Sequence, residues 1–119
     1  LVNTVYSIEQ DKDVYDLTTK NIKKNNCINV NVFFFNYRQL NVLDQKFSKI
    51  IINGTVNADP LNLLDQLNVN GKLICILKEE NSSSIYLFSK KTSGYEKLKI
   101  MNASAPILIN YIDKEEFYF

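Results

Sequence analysis

Leu1-Val2-Asn3-Thr4-Val5-Tyr6-Ser7-Ile8-Glu9, followed by Gln10-Asp11-Lys12-Asp13 and the periodic stretch from Val14 to Ile22, decides the fold. Leu1 to Ile8 is rich in β-forming residues and predicts a strand that ends at Glu9. Asp11 or Asp13 predicts a helix N-cap, because a carboxylate accepts the unpaired N–H groups of a first turn. Val14, Leu17, Thr18 and Ile22 recur at helical spacing. Lys20, Lys23 and Lys24 fall in the last turns, where cations suit the helix dipole, so this cluster reads as a solvated helix end. Asn25-Asn26 stops the helix.

Downstream, Ile28 to Phe35 is continuous enough in Val, Ile and Phe to predict a strand buried on both faces. Asn36 to Lys46 reads as a loop. Lys49 to Asn53 predicts a third strand, and Gly54 to Ala58 a loop. Asp59-Pro60 predicts a helix start, with Asp as cap, Pro at the first helical position, and Leu61, Leu64 and Leu67 as the buried stripe. Asn70-Gly71 turns the chain into a fourth strand, Lys72 to Leu77. Ile85 to Lys90 and Glu96 to Met101, joined by Lys91 to Tyr95, predict an antiparallel hairpin. Alternating strands and helices followed by a hairpin predict an α/β fold: a Rossmann-like sheet, mostly parallel, with a C-terminal antiparallel hairpin. Residues 1–119 are expected to belong to a single domain.

Composition narrows the function. The 119 residues are 45% hydrophobic and 23% charged, as in ordinary globular chains. A net charge of +1 supplies no field for nucleic acid or anionic lipid. Of the 14 basic residues only Arg38 is arginine, the usual bidentate reader of phosphate and bases. No nucleic-acid or membrane partner is therefore expected. Histidine is absent, which removes the commonest general base and metal ligand. Cys27 and Cys75 form no CxxC pattern. Cys75 lies in the apolar run Leu73 to Leu77 and reads as a buried core thiol, so a reducing, cytoplasmic setting is expected.

Ligands of open α/β sheets bind outside the carboxyl ends of the strands. That rule selects Glu9 with its neighbour Gln10, then Asn36-Tyr37, then Asn53-Gly54-Thr55. A strand-end Glu accepts hydrogen bonds from both hydroxyls of a ribose; the plainer alternative is a solvated acid supporting the next helix. The Asn36 amide suits an adenine edge, or simply forms a turn. Gly54 lets backbone approach a ligand closely, or is a plain loop glycine. Glu79-Glu80 and Glu115-Glu116 read as solvated charge. Phe33-Phe34-Phe35 and Phe117-Tyr118-Phe119 read as core packing or an interface.

Val5-Tyr6-Ser7-Ile8-Glu9, a helix, then Asn29-Val30 entering a strand resembles the protein-L-isoaspartate O-methyltransferases. The similarity continues through Phe47-Ser48-Lys49-Ile50-Ile51-Ile52, Leu63-Leu64-Asp65-Gln66-Leu67, Asn70-Gly71-Lys72-Leu73 and Ala105-Pro106-Ile107-Leu108. The resemblance implies a transferase that uses S-adenosylmethionine (SAM) to methylate isoaspartyl carboxyl groups in damaged proteins, a protein-repair activity on protein or peptide substrates. It implies that Glu9 holds the SAM ribose. It implies that Asn36 stands where the family has the Asp of a Gly-Asp-Gly turn against adenine, here flanked by Phe35 and Tyr37. Asn53-Gly54-Thr55 matches a small Thr/Ala-rich loop, and Ile76-Leu77-Lys78 stands in place of Pro-Val-Gly.

A ribose-holding acid follows a glycine-rich loop by about 20 residues. Only eight residues precede Glu9. The expectation is that a central strand, its glycine loop and the next helix lie outside this sequence, making it the C-terminal two-thirds of a methyltransferase domain. An incomplete sheet with an open edge, or a homo-oligomer or strand-swapped dimer closing it, is expected in turn. Three functions compete: a SAM-dependent carboxyl methyltransferase, a diverged non-catalytic binding or assembly module, and a nicotinamide-dependent Rossmann enzyme.

Overall fold

The structure is a computed structural model and describes residues 4–34 and 45–109. The chain divides into two compact units, Leu1–Asp44 and Gln45–Phe119.

In the first unit, β1 (Val5–Glu9) and β2 (Val30–Phe34) pair in parallel, from Val5 opposite Val30 to Glu9 opposite Phe34. Helix α1 (Lys12–Lys24) makes the crossover, and Asp11 is its N-cap. The far end closes with a left-handed Asn26 (φ 55°). There the Asn26 N–H donates to Lys23 O at 3.2 Å and the Cys27 N–H to Ile22 O at 3.1 Å. This is the Schellman arrangement, with Asn in the place glycine usually takes. Of the expected stripe, Thr18 and Ile22 are half-buried, whereas Val14 and Leu17 are exposed. Tyr15 and Thr19 turn inward instead. Strand β2 is not buried on both faces as its composition suggested: Val30, Val32 and Phe33 are half-buried and Phe34 is exposed. Ile28, expected within the strand, lies before it and is 97% exposed.

The second unit contains β3 (Phe47–Val56), α2 (Leu61–Leu64), β4 (Leu67–Lys78), β5 (Ser83–Lys90), β6 (Tyr95–Asn102) and β7 (Ile107–Ile109). They form one five-stranded sheet in the order β6-β5-β4-β3-β7. β3 runs parallel to β4 and β7, while β4, β5 and β6 alternate antiparallel. The expected hairpin is therefore β5–β6. This sheet is mixed, and among the described residues the strands fall into a two-stranded and a five-stranded sheet.

Strand alternation builds the core. Leu73, Cys75 and Leu77 of β4 point to one face, where Ile52, Val56 and Phe88 join them. Leu63, Leu64 and Leu67 complete it. Each such side chain contributes about 1.5–3 kcal/mol when fully removed from water. Helix α2 departs from expectation. It is one turn long, its N-cap is Pro60 with no side-chain cap bond, and Leu61 is exposed while Leu63 is buried. Leu67 opens β4 opposite Phe47. A helix of one turn has no room for a three-residue stripe, so the third leucine is used by the sheet.

Candidate functional site

The crest of the first unit is where β1 ends and α1 begins. Glu9 is the last residue of β1 and is half-buried. The nearby Asp11 carboxylate is already engaged: it accepts from Asp13 N at 2.9 Å and Val14 N at 3.2 Å. Among the described residues, no hydrogen bond or ion pair occupies the Glu9 carboxylate. Capping therefore divides the acids of this crest: Asp11 is engaged by the helix and Glu9 is not. An ionised carboxylate only accepts, and its two oxygens match the paired hydroxyls of a diol.

Phe34, paired with Glu9 across the ladder, carries an aromatic and a cationic neighbour, while Phe33 packs on the opposite face of the strand pair. Tyr15 and Phe34 rings are 5.5 Å apart, and Tyr6 stacks on Phe33 at 5.6 Å. Lys12 Nζ lies 5.0 Å from the Tyr15 ring centre and 5.6 Å from that of Phe34. Lys12 also pairs with Asp16 at 2.9 Å, and that hydrogen bond holds its pKa above the ordinary value. Gln10 is exposed in the short link between β1 and α1. Asn36 and Tyr37 lie outside the described residues.

Asn53 stands in the second unit, and it does not end its strand. β3 runs on to Val56. Between the pairs Ile51–Ile74 and Thr55–Ile76, three residues of β3 face one of β4, a bulge built from Ile52, Asn53 and Gly54. Asn53 is exposed there, while Gly54 and Thr55 are buried. The space beside Gly54 is taken by the chain's own tail: a Cβ added to it would lie 2.6 Å from Leu108 Cβ. Thr55 completes the docking, its N–H donating to Pro106 O at 3.1 Å and its hydroxyl to Ala105 O at 2.7 Å. The close approach that Gly54 permits is thus made by β7.

Two acids read as plain surface or capping residues have structural partners instead. Glu79 accepts from Tyr86 Oη at 2.7 Å, Ser84 Oγ at 2.8 Å and Ser82 Oγ at 3.2 Å, and pairs with Lys99 at 3.2 Å. The Tyr86 and Ser84 hydroxyls lead in holding its pKa down to about 2. Asp59, expected as a helix cap, accepts from Tyr95 Oη and Lys97 Nζ, both at 2.9 Å. Sequence spacing carried no signal for these contacts, because Tyr95 and Lys97 come from the far strand of the hairpin. Cys75 is buried as expected, and burial pushes its thiol up to about 11.

A parallel strand pair joined by a capped helix, an acid at the strand crest, and a mixed sheet with a hairpin at one edge define a Rossmann-like α/β fold of the methyltransferase type. A Plasmodium falciparum protein-L-isoaspartate O-methyltransferase, solved in complex with S-adenosyl-L-homocysteine, shares this fold with TM-score 0.79 and 24% identity over 88% of this chain. The chain belongs to the Protein-L-isoaspartate(D-aspartate) O-methyltransferase (PCMT) family, which matches residues 1–115. A further protein-L-isoaspartate O-methyltransferase structure superposes with TM-score 0.76 at 17% identity over 87% of the chain. Among curated proteins, a Methanococcus vannielii protein named as a cobalt-precorrin-6B C(15)-methyltransferase (decarboxylating) is 33% identical over 82 residues, 68% of this chain. The chain spans 45% of that relative's length, and 52% and 33% of the two structures.

Proposed function

We propose that this chain is part of a SAM-dependent protein carboxyl methyltransferase acting on isoaspartyl residues, a cytoplasmic repair enzyme of protein and peptide substrates, and that residues 1–119 contribute to one such domain. The observation that carries the proposal is Glu9: a strand-crest acid whose neighbour Asp11 is occupied by capping, in a chain of the PCMT family. Bound SAM supplies a methyl group on a sulfonium sulfur. Glu9 would hold the ribose hydroxyls, with Gln10 beside it, and Asn36, Tyr37 and Asn53 are the proposed further contacts of the cofactor. The nucleophile is a substrate carboxylate, already ionised near neutral pH, so the chain needs no histidine base. Positioning supplies the rate.

Titration calorimetry of the full-length protein with SAM, its demethylated product and NAD, paired with methyl transfer to an isoaspartyl peptide, tests this; residues 1–119 alone are expected to be inactive. SAM binding with transfer is expected. Glu9→Gln should weaken SAM binding about 10- to 100-fold, the value of about 1.5–3 kcal/mol for hydrogen bonds to a charged group. Binding of NAD alone would return the nicotinamide reading, and binding of none of the three would favour a non-catalytic module. The 33% identity to the precorrin methyltransferase favours one second reading, methylation of a tetrapyrrole. SAM binding without transfer to the peptide, but with transfer to a precorrin, would establish it.

A further inference from the structure

Two of the three glycines follow an asparagine, at Asn53-Gly54 and Asn70-Gly71. The fold treats these identical dipeptides differently. Asn70 is exposed and left-handed, with φ 70°. Its segment belongs to neither neighbouring ladder: β3–β4 pairing passes from Phe47–Leu67 to Lys49–Lys72, and β4–β5 pairing begins at Lys72–Ser89. Asn68 to Gly71 therefore stand against Ser48 alone, and Asn68 and Val69 are exposed as well. Glycine is demanded at position 71, since an added Cβ would lie 2.8 Å from Asn68 O and 3.2 Å from Phe47 O. Gly71 is buried, as Gly54 is, so the two dipeptides differ on the asparagine side. Asn53-Gly54 also lies in a bulge, between the pairs Ile51–Ile74 and Thr55–Ile76, but Asn53 is a single exposed residue between buried Ile52 and buried Gly54, with Leu108 against Gly54 and two Thr55 hydrogen bonds following it.

We propose that Asn70 is a site of spontaneous deamidation to isoaspartate, and that Asn53 is protected by the fold. The Gly71 backbone nitrogen gives up its proton to solvent base and attacks Cγ of Asn70. The new C–N bond closes a succinimide, and the side-chain amide nitrogen leaves as ammonia, taking a proton from water. Water then opens the ring. Cleavage on the main-chain carbonyl side leaves an isoaspartyl linkage with a free α-carboxyl, and cleavage on the other side leaves aspartate. The sum is asparagine plus water giving isoaspartate or aspartate plus ammonia, with no oxidation or reduction. The exposed run Asn68 to Asn70 gives Asn70 the freedom that ring closure needs, where Asn53 is held between buried neighbours. The inference does not depend on the proposed function, although its product is the residue for which the family is named.

The folded chain, incubated at mildly alkaline pH and warm temperature, is to be peptide-mapped by mass spectrometry with fragmentation that distinguishes isoaspartate from aspartate. Position 70 is expected to convert about tenfold or more faster than position 53, the factor supplied by about 1.4 kcal/mol of local opening cost. In denaturant the two rates should converge, because the dipeptides are the same. Asn70→Gln should abolish isoaspartate at position 70 and leave the rate at position 53 unchanged. Equal rates at the two sites in the folded chain would overturn the proposal. So would an intact Asn70 in the folded chain after the denatured chain has converted.

Discussion

Replacing Gly54 with alanine isolates the contact that brings β7 onto β3. The added Cβ would lie 2.6 Å from Leu108 Cβ, 3.2 Å from its Cδ2 and 3.4 Å from its Cγ. Carbon atoms pack best at about 3.5–4.0 Å, so the closest pair overlaps by about 1 Å. Leu108 can swing its Cγ and Cδ2 away by changing rotamer, but its Cβ is fixed to the backbone. The strand itself must move. Overpacking of this kind costs about 1–3 kcal/mol. The ceiling is what β7 docking is worth. That is the two Thr55 hydrogen bonds at about 1 kcal/mol each, plus the partial burial of Leu108, which stays 43% exposed. A loss of about 2 kcal/mol is expected, by detachment of β7 rather than unfolding of the sheet. Hydrogen exchange at the Thr55 amide reads this directly and should accelerate about 30-fold. Leu108→Gly removes all three close atoms and should rescue Gly54→Ala, whereas Leu108→Ala keeps the offending Cβ and should not. Unchanged exchange at Thr55 in Gly54→Ala, or equal rescue by the two Leu108 variants, would refute this account.

Asp11→Ala removes both capping bonds of α1 and should cost about 1 kcal/mol, seen as faster exchange of the Asp13 and Val14 amides. Glu79 has a folded pKa of about 2 against an ordinary 4.5, so the unfolded chain binds the extra proton between those values. Its contribution is full above about pH 4.5 and is lost as pH falls through about 2, and Glu79→Gln should flatten denaturation midpoints across that window. Cys75, raised to about 11 by burial, stays a neutral thiol at pH 8. A thiol reagent should therefore label half-buried Cys27 first and reach Cys75 only on unfolding, which a labelling time course in and out of denaturant would check.

Much of this was legible in local pattern. The strand ending at Glu9, the Asp11 cap, the lysine-rich helix end and the β5–β6 hairpin depend on neighbours within a few positions, where composition and spacing act directly. Leu73, Cys75 and Leu77 alternate so strictly that their common buried face could be expected. Glu9 as the crest acid was likewise visible, because a strand end followed by a capped helix is a local event. What remained hidden depended on segments remote in sequence. β7 is three residues long and carries no periodicity; it exists because Thr55 and Gly54 receive it. The bulge that moves Asn53 off the strand end shows only when β3 is laid against β4.

By itself, then, the sequence determined the first strand, its capped helix, the fourth strand and the hairpin, and which acid would crown the first strand, since hydrophobic period and capping chemistry are short-range. Only the tertiary structure decided where the remaining polar groups were used. Asp59 went to the hairpin, Glu79 to Tyr86 and Ser84, and Gly54 to the tail. It also left Asn70 in an exposed run while setting Asn53 between buried neighbours. The physical reason is that a buried or bulged position is defined by what packs against it, and those partners meet only when the chain folds.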